Sequence, residues 1–198
     1  MPRAFDLVIS LAALLLLAPV LLLVALMVRV ALGSPVVFRQ RRSGRDAIPF
    51  EMLKFRSMTD ERDSSGALLP DADRLTLLGR LLRRSRLDET LGLLSIVRGD
   101  MALVGPRPLL PETIAAMGEG GRRRSTVRPG LTGWAQVNGN ALLNNEDKLA
   151  LDLWYVANRS PALDLAIMGR TIGVILAGEH INTTNLEKAV AGNPYRRC

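Results

Sequence analysis

The sequence predicts a mainly α protein with long ordered loops, little strand and an N-terminal membrane segment. Three observations carry that class. Positions 7–28 run for 22 residues without a charge, with Ser10 the only polar side chain. Later segments place leucines and other apolar residues at helical spacing, whereas alternating patterns are short. Residues 104–111 and 128–139 are rich in proline and glycine and read as loops.

Composition narrows the chemistry. The 198 residues include 26 Lys and Arg against 19 Asp and Glu, for a net charge of +7. Apolar residues make up 48%, which argues against a disordered chain. One cysteine, Cys198, excludes an internal disulfide framework and a cysteine-cluster metal site. One histidine, His180, excludes a multi-histidine zinc site. The basic excess calls for an anionic partner: nucleic acid, a membrane surface or phosphorylated small molecules. Two Trp, two Tyr and four Phe leave too little aromatic interleaving for a nucleic-acid surface.

The apolar run comes first. As a helix it is about 33 Å long, enough for a hydrocarbon core of about 30 Å. A cleaved signal peptide fits it poorly, because the run is too long and Asp6 sits in the would-be basic region. A buried core helix fits less well, since no face is polar. Pro19 removes a backbone donor and displaces the carbonyl of Leu15, so a kink or break is expected at Ala18-Pro19. A kinked span and a helix–break–helix hairpin both satisfy that constraint. Arg29, Arg39, Arg41, Arg42 and Arg45 put the bulk of the chain on the cytoplasmic side.

Residues 34–58 show a short extended section, a basic turn, and weak strand evidence at 50–56. Residues 59–73 are polar and turn-rich. Residues 74–84 form an amphipathic helix, with Leu77, Leu78, Leu81 and Leu82 on one stripe and Arg80, Arg83 and Arg84 opposite. A second helix is expected at 88–97, capped by Asp88, and a short one at 112–117, ended by the glycines that follow. Helices are expected at 146–157 and 162–177, and the tail after Gly178 reads as polar and irregular.

Three places can carry chemistry. Asp88-Glu89 is an acidic pair closely preceded by Arg80, Arg83, Arg84 and Arg86. Such pairs are usually solvated surface, but neighbouring cations and a helix N-terminus keep a carboxylate ionised. An ionised Asp can attack phosphorus, and paired carboxylates suit Mg²⁺. Gly105-Pro106-Arg107-Pro108 stiffens the backbone around an arginine suited to phosphate, or is a structural loop. The segment 127–139 offers exposed amides and Trp134, a ring on which a base could stack, or is a plain ordered loop.

Lys54-Phe55-Arg56-Ser57-Met58, Leu87-Asp88-Glu89, Arg98-Gly99-Asp100-Met101, Val104-Gly105-Pro106-Arg107-Pro108, Val127-Arg128-Pro129-Gly130-Leu131-Thr132-Gly133 and Gln136-Val137-Asn138-Gly139 follow the proline-interrupted segment in that order. Together they resemble the bacterial sugar transferases, the monotopic polyprenol-phosphate phosphoglycosyl transferases, over residues 3–176 and at the length of the small stand-alone members. The resemblance implies transfer of a sugar-1-phosphate from a UDP-sugar to undecaprenyl phosphate, with release of UMP. By carry-over Asp88 is the nucleophile and forms a covalent phosphosugar intermediate. Glu89 assists as a metal ligand and as base, and Mg²⁺ sits on Asp88 and Glu89. Arg107 holds phosphate, with Lys54, Arg83, Arg128, Gln136 and Asn138 as further substrate-binding residues. The resemblance also implies a re-entrant helix in the bacterial inner membrane with both flanks cytoplasmic. It divides the chain into a membrane segment at 1–33, a catalytic domain at 34–178 and a tail at 179–198.

Three departures stand out. Ala18 replaces a serine frequent before the proline, Thr90-Leu91-Gly92-Leu93 replaces Leu-Pro-Gln-Leu, and Asn140 replaces an arginine. Gly92 inside the following helix costs about 1 kcal/mol. The rival reading is a non-catalytic membrane-anchored adaptor that binds anionic lipid through its basic helices.

Overall fold

A computed structural model describes residues 2–193; Cys198 and the end of the expected tail lie outside the described residues. The chain begins with α1 (Arg3–Leu32), assigned as one helix through Pro19. No helix end falls at Ala18-Pro19, where a kink or break was expected. A stripe at three- and four-residue spacing faces the rest of the protein: Asp6, Ser10, Val24 and Val28 are buried, with Ile9, Ala13, Leu14, Leu17, Leu21 and Ala25 partly so. The other face is open, and Leu15 and Leu16 are about four-fifths exposed. Only 11% of its most apolar 18-residue window is buried, so α1 is long and apolar enough to cross a membrane and is not a core helix.

Both ends of α1 are fastened to the same body. The Arg3 guanidinium donates to the carbonyls of Ile96 and Val97, and the Leu103 amide approaches Asp6 Oδ1 at 3.4 Å. At the other end Val24 and Val28 join Phe55, Leu82 and Leu91 in a small apolar cluster.

An antiparallel hairpin follows, β1 (Val37–Ser43) with β2 (Pro49–Phe55), in register from Val37 opposite Phe55 to Ser43 opposite Pro49. The basic residues expected in a turn at 39–42 are therefore in the strand; the reversal lies at 44–48. There Gly44 allows the chain to close, because a Cβ would crowd the Ile48 carbonyl. The polar loop leads to the short α2 (Asp71–Arg74) and to α3 (Leu77–Arg84), whose Thr76 hydroxyl accepts from the Gly79 amide at 3.0 Å. The leucine stripe of α3 splits. Leu82 is buried and Leu78 partly so, whereas Leu77 and Leu81 face outward.

A 3-10 turn at Leu87–Glu89 precedes α4 (Gly92–Arg98). Asp88 does not cap α4, which starts four residues later with no side-chain cap. β3 (Ala102–Val104) pairs in parallel with β4 (Gly130–Thr132). The two Gly/Pro stretches thus contain a short ladder, made possible by glycine. A Cβ on Gly105, Gly130 or Gly133 would collide with the backbone of the opposing segment. Between the strands lie α5 (Pro111–Ala116) and α6 (Gly118–Arg124). The glycines expected to end a helix instead continue as one, with Gly121 pressed on the Ile114 carbonyl.

The short α7 (Trp134–Val137), α8 (Asn145–Asn158) and α9 (Pro161–Ala177) complete the main core. The tail is not wholly irregular: α10 (Thr183–Ala191) buries Ala189 against that core. Its N-terminal Asn182 amide donates to the Asn138 carbonyl, and Asn185 donates to Asn138 Oδ1 at 2.7 Å.

Candidate active site

The acidic pair sits on the turn that joins α3 to α4. Arg86, directly before it, adopts a left-handed conformation (φ 60°, ψ 11°) that costs about 1 kcal/mol or more in a non-glycine residue. The preceding helix and the turn are both packed, and the reversal places Asp88 and Glu89 beneath the hairpin. β2 delivers Lys54 from above, with Nζ 2.8 Å from Glu89 Oε1. The loop after β3 delivers Arg107, whose two terminal nitrogens reach the two oxygens of Glu89 at 2.5 and 3.2 Å. Arg124 fixes that loop from behind by donating to the Arg107 carbonyl, while its Nε donates to Asp152 at 2.7 Å. Arg124 and Asp152 are both buried, so the pair is an internal strut.

The two carboxylates live in different fields. Burial raises the Glu89 pKa, but Arg107 and Lys54 outweigh it and hold the group at about 2. Asp88 is pushed up, by burial first and by the Glu89 charge second, against weaker pulls from Lys54 and Arg83. Among the described residues Asp88 has no ion pair within 4 Å. Glu89 is thus the ion-paired carboxylate, ionised at neutral pH, and Asp88 is the buried carboxylate whose charge is disfavoured.

Asp88 lines a polar cleft of about 630 Å³ together with Lys54, Arg56, Arg83, Arg86 and Arg107. Arg42, at the same cleft, donates to Gln40 and to the Pro108 carbonyl; burial and the nearby Arg107 lower its pKa. Two further cavities meet this centre at Arg86 and Arg107: an apolar one of about 480 Å³ and a smaller one of about 340 Å³. The Asp88 carboxylate could hold a hard cation completed by substrate phosphate and water. Glu89 is already taken by Lys54 and Arg107, so Asp88 is the carboxylate with room for a metal. No cluster of three or more His, Cys, Asp or Glu side chains occurs among the described residues.

The structure gathers Asp88, Glu89, Lys54, Arg83 and Arg107 at one cleft. Arg83 touches the Ser57 hydroxyl at 3.1 Å. Gln136 lines both neighbouring cavities; its Nε2 donates to the Leu131 carbonyl, and its buried Oε1 has no partner among the described residues. Arg128 lies at a separate cavity and donates to the Gly99 carbonyl at 2.9 Å. Asn138 is fully buried between Trp134 and Asn185, inside the core. Trp134 is not a free stacking platform. Its ring packs on Trp154 at 5.0 Å, with Arg170 over it.

Sequence reasoning passed over four residues that bound these cavities. Arg42 falls in a stretch that reads as a basic turn but forms part of β1. Arg86 was one cation among several, and its left-handed backbone carries no sequence signal. Glu179, in the presumed irregular tail, accepts from Arg86, from Asn140 at 2.6 Å and from the Ala141 amide at 3.1 Å. Arg124 was one of a run of three arginines, and burial alone separates it from its exposed neighbours Arg122 and Arg123.

Comparison with known proteins identifies the family. The family model for bacterial sugar transferases matches residues 1–178. The chain is 47% identical over 183 residues to the uncharacterized sugar transferase EpsL of Bacillus subtilis, covering 92% of this chain and 91% of that one. It is 43% identical to the undecaprenyl-phosphate glucose phosphotransferase of Komagataeibacter xylinus, over 86% of this chain and 35% of the relative. It is 38% identical to the UDP-glucose:undecaprenyl-phosphate glucose-1-phosphate transferase of Escherichia coli, over 86% of this chain and 39% of that protein. The chain therefore spans nearly all of the Bacillus protein and little more than a third of the other two. A match over most of the sequence, with the acidic pair and its cations gathered at one cleft, makes this chain a member of the bacterial sugar transferase family.

Proposed function

We propose that this protein transfers a sugar-1-phosphate from a UDP-sugar to undecaprenyl phosphate through a phosphorylated Asp88. The observation that carries the reading is the division of labour at the acidic pair: Glu89 neutralised by Lys54 and Arg107, Asp88 unpaired in a cationic cleft. The relatives named for undecaprenyl-phosphate sugar transfer support the substrate classes.

An Asp88 oxygen attacks the β-phosphorus of the donor. An Oδ–P bond forms, and the bridging P–O bond to the α-phosphate breaks, releasing UMP. A phosphate oxygen of the acceptor then attacks the same phosphorus and frees Asp88, leaving the polyprenol diphosphate-sugar. Burial strips water from Asp88 and so strengthens it as a nucleophile. Arg42, Arg83, Arg86 and Arg107 offset the repulsion between that anion and the anionic diphosphate. Glu89, with a pKa of about 2, is too weak a base to take a proton at neutral pH. Its role is to hold Lys54 and Arg107 in place. Asp88 would hold Mg²⁺, which would supply further charge neutralisation when bound.

The reading includes a re-entrant α1 in the bacterial inner membrane, with the domain and both flanks on the cytoplasmic side. Attachment of Arg3 and Asp6 at one end and of Val24 and Val28 at the other to the same domain supports it. A helix crossing a core of about 30 Å would leave one end on the far side. Exposed Leu15, Leu16, Leu22 and Leu23 are the part that meets lipid.

The test incubates purified protein with Mg²⁺, undecaprenyl phosphate and a panel of UDP-sugars and measures UMP. Release with at least one donor, abolished in Asp88→Asn, is expected. No UMP from any donor would favour the adaptor, and equal turnover by Asp88→Asn would remove Asp88 as nucleophile.

A further inference from the structure

The apolar cavity of about 480 Å³ is not used by the steps above. It runs between α9 and the segment of β4 and α7, with Leu103, Leu131, Met168 and Val174 in its walls. Its inner end reaches Glu89, Arg86 and Arg107. At its outer side Ile172, Ile175 and Leu176 are 62%, 61% and 81% exposed, so the apolar lining continues onto an uncovered apolar surface. Of the four hydroxyls in the wall, Thr132 and Thr171 are bonded to each other at 2.7 Å, and Thr171 also donates to the Ile167 carbonyl. The polar cleft on the Asp88 side is better furnished for the donor.

Gly169 supplies a second, independent observation. It lies in the interior of α9, where glycine costs about 1 kcal/mol against alanine. Packing does not demand it: a Cβ there would meet no atom within 4 Å. Its φ is not in the left-handed region, so the backbone does not demand it either. Gly169 lines the cavity, and a side chain added there has open space to extend into.

We propose that this groove seats the isoprenoid chain of the polyprenyl phosphate acceptor, with the phosphate beside Arg86 and Arg107. The inference rests on the transferase reading and adds to it the place and approach of the lipid. The groove has two guanidinium groups at one end, Arg107 paired with Glu89 and Arg86 with Glu179, an apolar length for a hydrocarbon, and exposed apolar residues beside it. That sequence of surfaces matches a lipid phosphate. The groove and the donor cleft are separate cavities that share Arg86, Glu89 and Arg107 in their walls, so the two anionic substrates reach one centre from two cavities.

The experiment separates the two half-reactions. Gly169→Leu fills the groove with a better helix former, and Gly169→Ala is the graded partner; both are expected to keep or raise the Tm. Without acceptor, the full-length Gly169→Leu protein should release the same single-turnover burst of UMP as the parent. With undecaprenyl phosphate, its KM for the lipid should rise about tenfold or more, while a water-soluble one-isoprene phosphate is used as well as by the parent. An unchanged KM for the long lipid overturns the groove. Loss of the burst in Gly169→Leu overturns it too, by assigning the groove to the donor. Absence of a burst in the parent itself sinks the covalent transferase reading, a failure distinct from the other two.

Discussion

Arg107 grips Glu89 through two hydrogen bonds, one to each carboxylate oxygen, while Lys54 shares Oε1 from the other side. This fork needs the planar guanidinium, because an ammonium cannot present two parallel donors. Arg107→Lys should therefore lower kcat/KM for UMP release by about 10- to 100-fold while keeping the fold. Steady-state kinetics with circular dichroism checks it; parental kinetics in the variant would show that the fork is dispensable.

Glu89 makes the centre sensitive to acid. Its pKa of about 2 lies below the ordinary value of 4.5, so its ionisation stabilises the folded state. The contribution, about 3 kcal/mol, is present above pH 4.5 and is lost as the pH falls through about 2. Glu89→Gln leaves Lys54 and Arg107 without their anion. The parent should be more stable than the variant at neutral pH, and the difference should shrink below pH 4.5 in denaturant titrations.

Asp88 has the opposite sign. Its pKa is raised by burial, so its charge opposes folding above the ordinary aspartate value of 3.8, and the neutral form is better tolerated below it. Asp88→Asn should abolish the UMP burst yet raise the Tm at neutral pH, with the gap closing under acid. A variant with lowered Tm at pH 7 would contradict this account of the site.

The buried Arg124–Asp152 pair supports the Arg107 loop from behind. Asp152→Ala leaves a buried guanidinium unpaired, and a loss of about 3–5 kcal/mol is expected. Chemical denaturation measures it. A milder effect, under about 1 kcal/mol, would mean that Arg124 finds another anion or water.

The same-side attachment of α1 has a direct test. Single cysteines at Ala4 and Ala31, in a Cys198→Ser background, should both react with an impermeant maleimide applied from the domain side of vesicles. Labelling of Ala4 only from the opposite side would establish a spanning helix.

Local pattern made much of the fold legible. The apolar run, the helices at 146–157 and 162–177 and the extended stretch at 50–56 match observed elements because periodicity reports which face is covered. The same reasoning missed what depends on a distant partner. Gly105 and Gly130 read as loop breakers, but each is the partner that lets the other's backbone approach. The polar tail gained a helix because Ala189 and Asn185 find the core and Asn138.

The site divides in the same way. The order of short motifs identified the family, and Asp88, Glu89, Lys54, Arg83 and Arg107 do meet at one cleft. What each residue does was not written in its neighbours. Asp88 and Glu89 are adjacent in the chain, yet their pKa values move in opposite directions because two cations from remote segments bond one and not the other. Asn138 and Arg128 belong to equally suggestive motifs, and packing turns both away from the acidic centre. The sequence by itself determined the apolar membrane segment, the predominance of helix and the residues available for phosphate chemistry, since these follow from side-chain type and local spacing. Only the tertiary structure decided which cation meets which anion and where the cavities open, because charge pairing and burial depend on distances that chain order does not encode.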